Sequence, residues 1–146
     1  TTAEKLKIFE EPYYHLTAEL FGRKDAYTVL KQKGIIDFTS TSFLRGITFD
    51  NAIILVDECQ SMTFHELNTI MTRLGETSKI IFCGDFRQND LENHREKSGL
   101  KDFKEILWDV DQFDIVEFSD EDIVRSGLVK AYIQASNKYF DGKTKL

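Results

Sequence analysis

Two mainly apolar segments of this chain stop abruptly at acidic residues. The first covers residues 53–56 and is followed by Asp57 and Glu58, and the second covers residues 79–84 and is followed by Asp85. Apolar, β-branched runs of this length are typical of strands that are buried on both faces, as in a parallel sheet covered by helices. Open α/β sheets bind ligands beyond the carboxyl ends of their strands. The pattern therefore predicts a site where these two strands end.

Two helices are predicted before the first apolar segment. Apolar residues at helical spacing indicate an N-terminal helix, which Pro12 is expected to start at its first turn and Gly22 to end. Asp25 is predicted to cap a second helix that extends through Lys33 and is closed by Gly34.

Three further helices are predicted after that segment. Thr63 and Glu66 have the spacing of a capping box, in which hydroxyl and carboxylate satisfy each other's free backbone donors. The apolar residues that follow repeat at helical spacing, and Gly75 is predicted to close this helix. Apolar positions within 100–107 indicate the next helix, and a last helical segment is expected from Ser119 and Asp122 to about Phe140.

Two more strands complete the predicted order of elements. Residues 35–39 and 113–118 are rich in β-branched and aromatic residues and are predicted to form strands. With the strands at 53–57 and 79–84, strands and helices then alternate along the chain, which is the signature of an α/β fold. The 146 residues amount to one domain with a sizeable core.

Composition narrows the class of protein. The chain is 41% hydrophobic and 30% charged and has no apolar run long enough to cross a membrane, which is typical of a soluble globular protein. Its two cysteines lie in apolar stretches, which favours free thiols in a reducing cytoplasm. The net charge of −6 argues against a strongly basic nucleic-acid-binding protein. A local basic cluster fits either a solvated helix face and loop or a nucleic-acid contact. It consists of Arg95, Lys97, Lys101 and Lys104.

The acidic pair at the end of the first apolar segment has the pattern of a Walker B motif. In that motif one carboxylate serves a metal ion and the second orients or deprotonates an attacking water. Asp57 and Glu58 alone are equally compatible with an exposed strand-to-loop transition, and the second acidic end at Asp85 favours chemistry. The phosphate-binding motif G-x-x-x-x-G-K-[ST] does not occur, because Gly142-Lys143-Thr144 lacks the first glycine. The chain is therefore expected to be the downstream portion of a longer ATPase domain.

Several short stretches resemble the PhoH family of P-loop ATPases. Residues 57–60 are similar to the D-E-x-Q motif II of superfamily 1 helicases, and residues 84–88 are similar to their G-D-x-x-Q motif III. The resemblance to PhoH proteins runs in order from about residue 5 to residue 135. The stretches that carry it are 43–48 (M-R-G-R-T in the family), 71–75 (L-T-R-L-G), 97–100 (Q-K-S-G-L) and 122–125 (D-V-V-R).

This resemblance implies a RecA-like P-loop NTPase, a three-layer sandwich with a mainly parallel sheet. Residues 1–146 would be the C-terminal part of a single PhoH-like ATPase domain, with the Walker A strand missing from this chain. The implied sheet order is 35–39, 53–57, 79–84, the Walker A strand and then 113–118. The implied cofactors are ATP and Mg²⁺. PhoH proteins are linked to phosphate starvation, RNA metabolism and phage genomes.

The resemblance also implies roles for individual residues. Asp57 would hold the magnesium ion through water, and Glu58 would be the catalytic base. Gln60 and Gln88 would sense the γ-phosphate and position the water, and Asp85 would contribute to the nucleotide site.

Two arginines are implied to act outside that cluster. Arg125 would be an arginine finger that reaches the nucleotide of a neighbouring subunit, and Arg45 would contact nucleic acid or another subunit. The implied partners are RNA or single-stranded nucleic acid and further copies of the chain in a ring, a hexamer by family resemblance. An ATPase coupled to RNA or DNA is the leading hypothesis. The alternative is a non-catalytic module that binds nucleic acid or assembles a ring.

Overall fold

The computed structural model describes residues 2–44, 46–85 and 99–143. The chain divides into a first unit, Thr1–Leu107, and a second unit, Trp108–Leu146. Among the described residues, no helix combines the length and the apolar character that a membrane crossing requires. The α-helices are α1 (Thr2–Phe21), α2 (Ala26–Gln32), α3 (Phe64–Met71), α4 (Leu100–Trp108) and α5 (Gly127–Lys143). The strands are β1 (Ile53–Val56) and β2 (Lys79–Phe82), and 3₁₀ turns cover Thr41–Phe43, Cys59–Ser61 and Asp120–Asp122.

The sheet of the first unit pairs β1 with β2 in parallel, as predicted. Ile53 lies opposite Lys79 and Val56 lies opposite Phe82, so both strands end at the same edge. Helix α3 connects them, which makes the segment a βαβ unit of the α/β class. The prediction of a mixed α/β fold with a parallel sheet is confirmed.

The strands predicted at 35–39 and 113–118 do not form. Both segments lack regular backbone pairing, and among the described residues the sheet consists of β1 and β2. Ile35 and Val116, which the apolar pattern would bury, are 65% and 77% exposed. A β-branched run becomes a strand only where another strand accepts its hydrogen bonds, and neither segment finds such a partner here.

Glycines end the first two helices as predicted, and α2 starts at the predicted position, but the predicted start of α1 is wrong. Gly22 and Gly34 have φ values of +65° and +66°, the left-handed conformation that glycine adopts without a steric cost. Pro12 does not start α1, because the helix begins ten residues earlier and continues through the proline at the loss of one backbone hydrogen bond. Asp25 occupies the N-cap position of α2 without capping it, since its carboxylate binds the guanidinium group of Arg23 at 2.7 Å.

The capping box at the start of α3 is confirmed. Thr63 Oγ1 accepts the backbone N–H of Glu66, and the Glu66 carboxylate accepts the backbone N–H of Thr63 at 2.9 Å. Gly75 does not close this helix, which ends at Met71. Instead the Gly75 N–H donates to the carbonyl of Phe49 at 2.8 Å, and a Cβ atom on Gly75 would lie 2.7 Å from that carbonyl oxygen. Gly75 therefore permits a close approach of two backbone segments.

The predicted C-terminal helix forms, but it starts later in the chain than predicted. Ser119 and Asp122 form a second capping box, which caps the short 3₁₀ turn Asp120–Asp122. The α-helix α5 begins only at Gly127 and extends to Lys143.

The hydrophobic core of the first unit lies between β1, α3 and α4. Phe103 on α4 packs edge-on against Phe82 at the end of β2, with the ring centroids 5.0 Å apart. Gly99 lets the start of α4 lie against the start of α3, since a Cβ atom there would lie 1.8 Å from the backbone nitrogen of Phe64. The buried members of the core are Leu44, Val56, Cys59, Leu67, Ile70, Leu100 and Phe103.

Candidate functional site

The residues that follow β1 and β2 lie side by side beyond the regular sheet. The N–H of Cys83 donates to the carbonyl of Val56 at 2.8 Å, and the N–H of Cys59 donates to the carbonyl of Cys83 at 3.0 Å. These two bonds continue the parallel pairing past the ends of the strands. Asp57, Glu58 and Asp85 are thereby brought to one edge, which we call the carboxyl edge, as the sequence predicted.

Glu58 turns the chain sharply at this edge. Its backbone lies in the left-handed region, with φ 53° and ψ 36°. A residue with a Cβ atom pays roughly 1–2 kcal/mol for this conformation, and such strain is concentrated at functional sites. The N–H of Glu58 donates to Asp57 Oδ1 at 3.0 Å, which supports the turn from within. The chain then continues into the 3₁₀ turn Cys59–Ser61.

Gln60 joins the end of β1 to the end of β2. Its side-chain Nε2 donates to Glu58 Oε2 at 2.6 Å, and its Oε1 accepts the backbone N–H of Asp85 at 3.2 Å. A carboxylate only accepts and an N–H only donates, so both partners require the same orientation of the amide. Gln60 is only 9% exposed, so this link is held in a fixed place.

Gly84 leaves room for that link. A Cβ atom at this position would lie 2.7 Å from Gln60 Oε1 and 2.7 Å from Cys59 Sγ, closer than carbon can approach either atom. The glycine of the G-D-x-x-Q stretch is therefore required by packing against the segment that follows β1.

Tyr13 is a member of the site that the sequence analysis missed. Its hydroxyl group donates to Asp57 Oδ2 at 2.7 Å across 44 positions of the chain. Burial, together with the Asp57 carboxylate, raises the pKa of Tyr13 to about 12, so the hydroxyl remains a donor at neutral pH. In the sequence Tyr13 fits the helical spacing of the apolar and aromatic residues of the first helix, and nothing in that local pattern connects it with Asp57.

The structure brings together four of the seven predicted site residues. Asp57, Glu58, Gln60 and Asp85 form one connected cluster at the carboxyl edge. Arg125 lies in the second unit, exposed in the turn before α5, where it donates to the carbonyl of Val124 at 3.2 Å. The two remaining residues, Arg45 and Gln88, lie outside the described residues.

The oxygen atoms at the carboxyl edge could bind Mg²⁺ together with a phosphate ligand. Asp57 and Glu58 offer exposed carboxylate oxygens, the ligands that Mg²⁺ prefers. Within the part of the chain that the structure describes, no group of three or more His, Cys, Asp or Glu residues could enclose a metal ion. Two adjacent exposed carboxylates suit Mg²⁺, which is usually bound by one or two carboxylates together with waters and substrate phosphates.

Two cysteines lie beside the edge. Both are free thiols, Cys59 buried and Cys83 exposed. Burial, and then the neighbouring Cys83, raises the pKa of Cys59 to about 11. Burial also raises the pKa of Cys83. Both side chains are therefore protonated thiols at neutral pH.

Comparison with known proteins gives a consistent match along the chain. The model of the family described as PhoH-like protein matches residues 1–137. A PhoH-like protein of Bacillus subtilis (strain 168) is 36% identical over 135 residues, which cover 92% of this chain and 42% of that protein. Protein PhoH of Escherichia coli (strain K12) is 33% identical over 134 residues, which cover 91% of this chain and 38% of that protein. The chain thus spans about two fifths of the length of these relatives.

Proposed function

This chain belongs to the PhoH family of P-loop NTPase-like proteins, and on that premise we propose that it supplies the Walker B side of an ATP-hydrolysing site. Residues 1–146 would then be the C-terminal part of a single ATPase domain, with the Walker A loop contributed by another segment of a longer protein. The observation that carries the proposal is the connected cluster at the carboxyl edge. Two carboxylates stand at the end of β1, and Gln60 ties the second to the end of β2.

The geometry suits Glu58 for the role of catalytic base. Gln60 engages one oxygen of its carboxylate, which fixes the group and leaves the other oxygen for an attacking water. In the proposed step the water oxygen attacks the γ-phosphorus of ATP while its proton passes to Glu58. The bond between the γ-phosphorus and the bridging oxygen breaks, and ADP leaves with that electron pair.

Asp57 has a different role in the proposal. It would hold Mg²⁺ through water, and the ion would neutralise charge on the phosphates and orient them. This role is supported by the exposure of the Asp57 side chain and by the two hydrogen bonds that already orient it. The backbone of Asp85, tied to Gln60, would complete the nucleotide side of the edge.

Further parts of the site are proposed from the family alone. Gln88 would position the attacking water with Gln60, Arg125 would reach the nucleotide of a neighbouring subunit, and Arg45 would contact nucleic acid or a subunit. The whole protein would work in the cytoplasm as a ring, a hexamer, and would couple ATP hydrolysis to RNA or single-stranded nucleic acid.

Replacing Glu58 with Gln in the whole protein tests the proposal. The amide keeps the shape of the side chain but cannot accept the proton, so steady-state hydrolysis should fall by roughly 10²- to 10⁴-fold. Binding of ATP, measured by equilibrium titration, should remain close to that of the wild type because the metal-binding carboxylate survives. Glu76→Gln is the matched control, since it makes the same change on an exposed turn and should leave hydrolysis unchanged.

Two outcomes would reject the assignment. Hydrolysis by Glu58→Gln at the wild-type rate would show that Glu58 is not the base. A wild-type whole protein that binds nucleic acid or forms a ring without hydrolysing ATP would favour the non-catalytic alternative.

A further inference from the structure

Helix α1 reaches the carboxyl edge through the side chain of Tyr13. Tyr13 donates its hydroxyl proton to Asp57 Oδ2 at 2.7 Å, while the other oxygen of the same carboxylate accepts the N–H of Glu58 at 3.0 Å. Both oxygens of Asp57 are therefore oriented by the protein itself. A carboxylate oxygen can accept two hydrogen bonds, so an oxygen that already accepts one from the protein can also accept one from a metal-bound water.

The phenol ring of Tyr13 is held from the side. It packs against Phe38, with the ring centroids 5.7 Å apart and the planes tilted by 46°. The residue is partly buried, so the hydroxyl group has a defined position relative to the end of β1.

Helix α1 is in turn fixed to α2 by a buried polar contact. Glu10, 8% exposed, accepts the hydroxyl of Tyr27 at 2.8 Å and forms an ion pair with Lys31. Burial opposes ionisation of Glu10, but the hydrogen bonds from Lys31 and Tyr27 hold its pKa below the ordinary value. Glu10 lies one turn before Tyr13 on α1, so this contact fixes the part of the helix that presents the tyrosine.

We propose that Tyr13 is a positioning residue for the metal-binding carboxylate, holding Asp57 in one orientation before Mg²⁺ and nucleotide bind. This inference rests on the proposed role of Asp57. Tyr13 does not touch the reacting atoms in this account; it acts through Asp57, in the way that outer-shell groups orient metal ligands. Its loss weakens metal binding and leaves the chemical step largely intact.

The test replaces Tyr13 with Phe in the whole protein. This change removes the hydroxyl group and keeps the ring that packs against Phe38. We expect the Mg²⁺ concentration for half-maximal hydrolysis to rise about tenfold, with kcat at saturating Mg²⁺ within about twofold of the wild type. Binding of Mn²⁺ to the ADP-saturated protein, followed by electron paramagnetic resonance, should weaken by the same factor. A purely structural role would lower thermal stability or kcat without this selective effect.

Tyr14→Phe is the matched control. Tyr14 is the next residue on α1, and its ring packs against Tyr27, with the centroids 4.2 Å apart. Loss of its hydroxyl group should leave both the Mg²⁺ requirement and Mn²⁺ binding unchanged.

Asp57→Asn in the same titration distinguishes a failure of the Tyr13 inference from a failure of the proposed metal role of Asp57. If Asp57→Asn loses Mn²⁺ binding while Tyr13→Phe binds as the wild type does, Tyr13 is not a positioning residue and the function of the edge stands. If Tyr13→Phe binds Mn²⁺ more tightly, the hydroxyl competes with the metal, which also overturns the inference. If Asp57→Asn binds Mn²⁺ normally, the metal role of Asp57 is wrong and the role of Tyr13 falls with it.

Discussion

The most exacting test of the packing at the carboxyl edge is the replacement of Gly84 with Ala. The added Cβ atom would lie 2.7 Å from Cys59 Sγ, 2.7 Å from Gln60 Oε1 and 3.2 Å from the backbone nitrogen of Gln60. Cys59 is fully buried, and Gln60 is held at both ends of its amide. Neither side chain can retreat without loss of packing or of a hydrogen bond.

The expected cost follows from these contacts. Forcing an extra methyl group into a well-packed region costs about 1–3 kcal/mol. Movement of Gln60 Oε1 away from the Asp85 N–H adds about 0.5–1.5 kcal/mol. Alanine has fewer backbone conformations than glycine in the unfolded chain, and this entropy effect offsets about 0.4–1 kcal/mol of the cost. The free energy of unfolding should therefore fall by roughly 0.5–4 kcal/mol.

Urea denaturation of the chain measures this change, and a double-mutant cycle with Cys59→Ala identifies its origin. Removal of Sγ eliminates one of the two shortest contacts, so Gly84→Ala should cost at least about 0.5 kcal/mol less in the Cys59→Ala background. Gly127→Ala is the control, because nothing lies within 4 Å of a Cβ atom at that glycine. A cost below about 0.5 kcal/mol would show that the added Cβ atom does not strain the packing, and an equal cost in both backgrounds would show that Cys59 Sγ is not its source.

Two further predictions concern the capping box at the start of α3. Thr63→Ala should lower the free energy of unfolding by about 1 kcal/mol in a urea titration. The control is Thr69→Ala in the same helix, which should be nearly neutral because the Thr69 hydroxyl only donates to the carbonyl of His65. Hydrogen bonds from the Thr63 backbone and hydroxyl hold the pKa of Glu66 below its ordinary value. Ionised Glu66 therefore stabilises the fold at every pH above the ordinary pKa of a glutamate. The stability difference between the wild type and Glu66→Gln should therefore be full at neutral pH and shrink as the pH falls below about 4; a difference that grows in acid would contradict this.

The sequence was most informative where a pattern carries its own local physics. The parallel pairing of β1 and β2 followed from two apolar runs, and the capping box followed from the spacing of Thr63 and Glu66. Gly22 ended α1 because a left-handed residue at that point favours glycine.

Predictions failed where a partner distant in the sequence decides the outcome. The segment 35–39 has a strand-like composition but does not pair with a strand among the described residues. Gly75 was assigned to a helix end, and its actual neighbour is the backbone of Phe49, 26 positions earlier in the sequence. Tyr13 reaches Asp57 across 44 positions, and no local periodicity encodes such a contact.

The acidic cluster itself was predictable, and its internal connections were not. A strand that ends in Asp57 and Glu58 beside another that ends near Asp85 places three acidic residues at one edge. That Gln60 joins the two ends depends on the left-handed turn at Glu58, which a sequence pattern of carboxylates does not reveal.

Metal-directed backbone cleavage of the whole protein would locate the proposed site most directly. Fe²⁺ in place of Mg²⁺, with ATP, ascorbate and peroxide, generates radicals that cut the backbone next to the bound ion, and mass spectrometry identifies the cut positions. We expect ATP-dependent cleavage beside Asp57 and Glu58 and beside Gly84 and Asp85, the two segments joined at the carboxyl edge. Asp57→Asn should abolish these cuts. Nucleotide-dependent cleavage confined to other segments, with the carboxyl edge intact, would contradict the assignment of this edge as the metal–nucleotide site.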